Sequence, residues 1–141
     1  MIFLLLLLVV GGLFALEKYV SGFGSDPIGK LAKAIAAAEG FGPAENVPTR
    51  ANNPGDLELG DLGNGAVGGK TVFPTLAAGI AALRKQLAII QNGESANYSL
   101  DMSISDMAQK WTGGDNPDGW ANEVAQQLGV TPDTKLSEVI G

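Results

Sequence analysis

The hydrophobic positions after residue 26 recur at helical spacing and predict a first helix. Asp26 is placed to cap its start, and Pro27 suits the first helical position. Gly40 is typical of the residue that follows a helix end. Four apolar residues lie on one face of a 3.6-residue period: Ile28, Leu31, Ala32 and Ile35.

Three further helices are predicted from the same periodicity together with capping signals at their ends. Their expected bounds are Thr75 to Asn92, Ser103 to Gly113 and Asn116 to Gly129. The helix after Thr75 is long and carries a regular apolar stripe, so it is expected to be central in the core. A last short turn is expected to open at Thr131-Pro132.

Residues 56–73 are rich in glycine and contain two short strand-like pieces, "LEL" and "KTVF". Such a segment favours a small hairpin-like excursion over a helix. The preceding "ANNPGDL" is expected to form a turn. The predicted fold class is therefore a mainly α domain, α+β in overall type, with a minor β-hairpin beside the helices.

The N-terminal segment "MIFLLLLLVVGGLFAL" contains no charged side chain and would extend about 24 Å as a helix. Because apolar residues continue to Phe23, a single-pass membrane anchor over residues 1–22 is favoured, with residues 2–20 in the lipid bilayer. A cleaved signal peptide is the alternative, although a basic n-region and a small-x-small site are missing. A buried core helix is less favoured, because the segment has no polar face.

Lys18, Lys30 and Lys33 follow the apolar segment and would place the bulk of the chain in the cytoplasm under the positive-inside rule, and the orientation of the anchor stays open. Residues 23–27 are expected to form a linker, and residues 28–141 a single domain large enough to bury a core.

Composition excludes several kinds of chemistry. The chain has no cysteine and no histidine, so disulfides, thiolate nucleophiles, Ser-His-Asp triads and zinc sites built from Cys or His are ruled out. We expect neither a cofactor nor a metal. The formal net charge of -6 argues against nucleic acid as a partner, because such binding depends on basic side chains.

Glu39 is the candidate catalytic residue. It follows Ile35 by four positions and therefore falls on the apolar face of the first helix. Partial burial and the C-terminal end of the helix dipole both disfavour the ionised form, so its pKa is expected to be raised. The alternative is a side chain that turns to solvent or is hydrogen-bonded by the following loop.

Candidate substrate-binding residues surround this acid in the sequence. Asn52, Asn53 and Asp56 belong to the turn and could hydrogen-bond sugar hydroxyl or N-acetyl groups. Tyr98 and Trp111 flank loops and could stack on sugar rings. Trp120 is spaced with apolar residues along its helix, which favours core packing.

An ordered series of sequence blocks resembles a known family. The blocks are "AIAAAEGFG", "TRANNPGDL", "TVFPTLAAGIAALRKQL", "SISDMAQKWTGGDNPDGWANEVAQQLGV" and "TPDTKLSEV", which together span about residues 30–139. Their order is similar to that of the lysozyme-like domains of phage virion proteins and related bacterial proteins. In that family the pattern runs roughly E-G-F, R-N-N-N-P-G-N, F-P-T/S and a final L-G-V.

This resemblance implies a small lysozyme-like domain over residues 28–141 that cleaves the β-1,4 bond between N-acetylmuramic acid and N-acetylglucosamine in peptidoglycan. Glu39 matches the single glutamate that acts as acid and then as base in the similar lytic transglycosylases. The family also implies a phage virion or a role in host entry or lysis, with other virion proteins as possible partners. Ala51 and Asp56 stand where the family usually has Asn.

A transglycosylase requires one carboxyl group, whereas hydrolysis usually requires two. Glu39 is the carboxylate placed on an apolar face, which favours the one-acid mechanism, with Asp56 as the candidate second carboxylate otherwise. Two other classes of function stay open. One is a virion membrane structural protein that keeps the fold without activity, and the other is a peptidoglycan-binding module.

Overall fold

The computed structural model describes residues 22–42, 47–60 and 65–141. The described part of the chain forms six helices: α1 Pro27–Ala38, α2 Val47–Arg50, α3 Leu76–Gln91, α4 Ile104–Trp111, α5 Pro117–Leu128 and α6 Leu136–Ile140. The predicted mainly helical fold is confirmed. The β element is limited to two antiparallel strands of two residues each, β1 Ala66–Val67 and β2 Lys70–Thr71.

Capping side chains fix where the four longer helices begin, as the sequence predicts. Each cap accepts a hydrogen bond from a backbone N–H in the first turn, which satisfies a donor that has no partner within the helix. Ser103 and Asp106 form a reciprocal capping box at the start of α4. The caps of the other three helices are Asp26, Thr75 and Asn116.

The core lies around α1, which packs against α3, α5 and α6. Leu31 and Ile35 of α1 are fully buried, as are Leu83 and Leu87 of α3. Helix α5 contributes Val124 to the same core and packs against α4 as well. This arrangement brings the C-terminal end of α1 close to the N-terminal half of α5.

Residues 23–27, expected to be a linker, pack onto the helical domain instead. Phe23 is only 1% exposed and belongs to the core. Arg84 of α3 donates one hydrogen bond to the Phe23 carbonyl oxygen at 2.6 Å and two to the Asp26 carboxylate at 2.8 Å. The same guanidinium group lowers the pKa of Asp26 to about 2. A buried aromatic ring and an ion pair thus hold this stretch on α3.

The predicted membrane anchor falls almost entirely on residues 1–21, which lie outside the described residues. Among residues 22–42, 47–60 and 65–141, none of the helices has both the length and the hydropathy of a membrane span.

Two local features differ from the sequence-based expectations. Helix α2 lies where a loop was expected, and Thr49 joins it to Gly42 by two hydrogen bonds. The "LEL" piece is not a strand, although the Leu57 carbonyl accepts a hydrogen bond from the Thr71 N–H. The turn expected at Thr131-Pro132 is present, closed by a hydrogen bond from the Thr134 N–H to the Thr131 carbonyl oxygen, and α6 follows it at Leu136.

Asn53 organises the turn between α2 and the hairpin. Its side chain is fully buried and donates hydrogen bonds to the carbonyl oxygens of Leu57 and Thr71, both at 2.9 Å. Its Oδ1 accepts the Leu57 N–H at 2.8 Å. Gly79 of α3 lies against the Asn52 carbonyl group, where a Cβ atom would overlap it. The turn is therefore locked to the hairpin on one side and to α3 on the other.

Replacing Asn53 with Ala is expected to lower the free energy of unfolding by about 3 kcal/mol, because it removes three hydrogen bonds to buried backbone groups. Chemical denaturation of the full chain would measure the change. Asn122→Ala on the exposed side of α5 is the matched control and should change stability by less than about 0.5 kcal/mol. An equally small effect at Asn53 would contradict this role.

Candidate active site

Glu39 caps the C-terminal end of α1, and its side chain is partly buried. Its backbone N–H donates to the Ile35 carbonyl oxygen, so the residue continues the register that puts Ile35 in the core. The indole Nε1–H of Trp120 in α5 donates a hydrogen bond to Oε1 of Glu39 at 2.9 Å. The carboxyl group is thus neither turned out to solvent nor held by the following loop.

The pKa of Glu39 is raised from 4.5 to about 7, the direction expected from the sequence. Removal of the carboxylate from water is the largest cause. The hydrogen bond from Trp120 lowers the pKa, the negative charge of Asp56 raises it, and the positive charge of Lys70 lowers it. Because desolvation outweighs the opposing contributions, Glu39 can both hold and release a proton near neutral pH.

Glu39 lines a cavity of about 620 Å³ between four parts of the fold. The end of α1 supplies Glu39, the turn after α2 supplies Asp56, and β2 supplies Lys70. The fourth part runs from the end of α4 through the following loop into the first half of α5: Trp111, Thr112, Asp115, Asn116, Gly119, Trp120 and Glu123.

A second cavity of about 270 Å³ adjoins the first. Four residues line both cavities: Asp56, Lys70, Trp111 and Thr112. The second cavity is lined in addition by Gln86, Tyr98 and Lys110. The two cavities therefore form one elongated cleft, with Glu39 in the larger part.

Three aromatic rings form a row along this cleft. The ring centres of Tyr98 and Trp111 are 5.9 Å apart, and those of Trp111 and Trp120 are 6.1 Å apart, in tilted arrangements. Trp111 also donates its Nε1–H to the Gly55 carbonyl oxygen at 3.1 Å, which ties α4 to the turn. Tilted aromatic pairs at these separations stabilise each other, so the row is a fixed part of the cleft wall.

Charged groups face Glu39 across the cleft. Lys70 Nζ lies 3.3 Å from Asp56 Oδ2 and 2.7 Å from Glu58 Oε1. Asp56 adopts a left-handed backbone conformation with φ of 52°, which turns its side chain toward Lys70. Its Oδ1 atom is buried and accepts no hydrogen bond from the described part of the chain. Asp56 thus keeps one acceptor oxygen without a partner there.

The structure divides the expected site residues into two groups. Glu39, Asp56, Tyr98 and Trp111 come together around the cleft. Asn53 is fully buried in the turn, and Asn52 donates its Nδ2 to the Phe73 carbonyl oxygen at 3.1 Å. Neither residue is among those that line the two cavities, and both side-chain amides hydrogen-bond backbone carbonyl oxygens, so these two residues have a structural role in the turn.

Sequence interpretation missed two residues beside the acid. Trp120 packs in the core as expected, since it is only 5% exposed, yet its N–H also reaches Glu39. A buried indole N–H usually finds a hydrogen-bond partner. The core position that the sequence predicts for Trp120 therefore already indicates that its N–H needs an acceptor. In the sequence, Lys70 belongs to the strand-like piece "KTVF", and nothing there relates it to Glu39. Its position depends on a turn that no local pattern specifies.

Among the described residues, no three acidic side chains are arranged to hold a metal ion.

Comparisons with protein-family models, with curated proteins and with solved structures find no match for this chain.

Burial of Glu39 makes stability depend on pH. The folded chain holds this proton up to about pH 7 and the unfolded chain only up to about 4.5, so the folded state binds more protons between these values. Stability contributed by the group is then lost as the pH rises through this window. Above pH 7 the loss, reduced by solvent screening, is about 2 kcal/mol.

We therefore expect the stability of Glu39→Gln relative to the parent to increase by about 2 kcal/mol between pH 4 and pH 8, since Gln cannot ionise. Urea denaturation of both full-length proteins at the two pH values measures this difference. The exposed Glu94 provides the control Glu94→Gln, whose stability relative to the parent should be the same at both pH values. A relative stability that is independent of pH would show that Glu39 ionises at its ordinary value.

Proposed function

We propose that the chain is a peptidoglycan-cleaving lytic transglycosylase with a lysozyme-like fold, in which Glu39 acts as general acid and then as general base. One observation carries this proposal: a partly buried carboxyl group with a pKa of about 7 lies at the end of α1, inside an elongated cleft. A general acid works best when its pKa is close to the working pH.

The proposed reaction consumes no water. Glu39 donates its proton to the glycosidic oxygen while the bond from this oxygen to C1 of the N-acetylmuramoyl residue breaks. The 6-hydroxyl oxygen of the same residue bonds to C1, and its proton passes to the Glu39 carboxylate. The products are a 1,6-anhydromuramoyl end and a free 4-hydroxyl group, and Glu39 is protonated again for the next cycle.

The charges in the cleft favour one acid over two. In a retaining hydrolase the second carboxylate must attack the sugar, so it has to be free to do so. The Oδ2 atom of Asp56 is instead paired with Lys70 at 3.3 Å. The electrostatic effect of Asp56 is to help Glu39 keep its proton, which suits a supporting role.

The shape of the cleft agrees with a polymeric substrate. Two adjoining cavities that share a wall offer room for more than one sugar ring. Trp111 lines both cavities and Tyr98 the smaller one, so their rings are placed to contact sugar faces.

The proposal includes a membrane anchor over residues 1–22 and a location in a phage virion or the host cell envelope. Both parts derive from the sequence alone: the first from its hydrophobic length, and the second from the family resemblance.

The alternative is a virion membrane structural protein that keeps the fold without activity. The observation in its favour is the Asp56 carboxylate, tied to Lys70 where the resembling family has an amide. The two functions differ in whether any glycan bond is cleaved.

The direct test is incubation of the full chain in detergent with purified peptidoglycan, followed by mass spectrometry of the soluble products. The parent should release anhydro-muropeptides, and Glu39→Gln should be slower by about 100-fold or more, because it lacks the transferable proton. Glu123→Gln changes a carboxylate in the same cavity and should retain activity. If neither the parent nor either variant releases soluble muropeptides, the structural protein is favoured.

Asp56→Asn distinguishes the one-acid from the two-acid mechanism. Without the Asp56 charge the pKa of Glu39 should fall, so the decline of kcat at high pH should begin at a lower pH. Anhydro products should persist, since Asp56 does not attack the sugar. A pH profile of kcat together with product mass checks both points. Hydrated reducing ends from the parent, lost in Asp56→Asn, would establish a hydrolase instead.

A further inference from the structure

Trp120 donates its hydrogen bond to Glu39 from a buried position in the core. Its ring is 5% exposed and belongs to the core between α1 and α5. One side packs against Trp111, which is itself tied to the turn through the Gly55 carbonyl oxygen. The Nε1–H therefore points at Oε1 of Glu39 from a fixed position.

We propose that Trp120 is the positioning residue for the proton of Glu39: its indole N–H holds Oε1 and leaves Oε2 as the oxygen that carries the transferable proton. This inference rests on the proposed function, because it assigns the acid and base step to one oxygen of the same carboxyl group.

The donor chemistry of indole supports this assignment. An indole nitrogen donates a hydrogen bond and cannot accept one, so it cannot accept a hydrogen bond from a proton carried on Oε1. The carbonyl oxygen of a protonated carboxyl group is the better acceptor, which places the hydroxyl group on Oε2. When Glu39 is ionised, the bond to Oε1 persists and becomes stronger, because its acceptor then carries charge.

The same bond has an electrostatic consequence that opposes burial. Desolvation raises the pKa of Glu39, and the Trp120 hydrogen bond lowers it. Trp120 thus keeps the acid strong enough to give up its proton in a site that would otherwise hold it too tightly. A residue with a purely structural role would have no such effect.

The chain itself offers a clean test, because it has only two tryptophans. The two indole N–H resonances can be followed by ¹⁵N-resolved NMR of the full chain in detergent micelles, across the Glu39 pKa of about 7. The Trp120 resonance should follow the ionisation of Glu39. The Trp111 resonance should move less, because its N–H donates to the Gly55 carbonyl oxygen and lowers the pKa of Glu39 less than Trp120 does.

In Glu39→Gln the Trp120 resonance should lose this pH dependence while its hydrogen-bonded position is kept. A Trp120 resonance that is insensitive to pH in the parent would overturn the inference. This measurement requires neither substrate nor a change at Trp120.

Trp120→Phe then tests the effect on turnover. The substitution keeps an aromatic ring in the core and removes the N–H donor. The high-pH decline of kcat should move upward by about one pH unit, and kcat at the optimum should fall severalfold with little change in KM. A reduced Tm with an unmoved pH profile would contradict the positioning role. If this variant does not fold, the indole titration decides.

The two proposals fail in different ways. If no peptidoglycan product is found while the Trp120 resonance follows Glu39, the proposed activity is wrong and the positioning of the carboxyl group stands. If anhydro products form while the resonance stays constant, the activity stands and the role of Trp120 is wrong.

Discussion

Burial of one carboxyl group is the constraint on which the rest of the site depends. The apolar stripe of α1 brings Glu39 out of water at the helix end, and this desolvation raises its pKa to about 7. A buried carboxylate without partners would be costly. The Trp120 N–H meets that cost with a hydrogen bond from the core. The two largest effects on the pKa of Glu39 therefore oppose each other, and both follow from the packing of α1 against α5.

The wall of the cleft opposite Glu39 is positioned by contacts with backbone groups. Asn53 joins the turn to the hairpin, and Gly79 lets the turn approach α3 closely. This places Asp56 and Lys70 across the cleft from Glu39. The tryptophan pair links the two walls, since Trp111 binds the turn and contacts Trp120. The backbone segments that carry Glu39, Asp56 and Lys70 thus keep their relative positions through the packing of the fold.

Local signals in the sequence predicted the helices well, because capping residues and apolar spacing act within a few residues. Asp26, Thr75, Ser103 and Asn116 cap helices as expected. The pKa shift of Glu39 was predictable in direction, since its position on the apolar face implied burial. The roles of Asn52 and Asn53 could not be predicted from the sequence, because both side-chain amides bind backbone groups that lie beyond the turn. Trp120 and Glu39 are 81 positions apart, so their contact depends on the packing of α1 on α5.

The central claim is that Glu39 still holds its proton close to neutral pH. The most direct test is a ¹³C NMR titration of the side-chain carboxyl groups in the full chain, with Glu39 assigned by comparison with Glu39→Gln. The account predicts that this one resonance titrates at about pH 7. Titration near the ordinary value of 4.5 would contradict it, because a carboxyl group of that acidity would be ionised at neutral pH and could not serve as the acid.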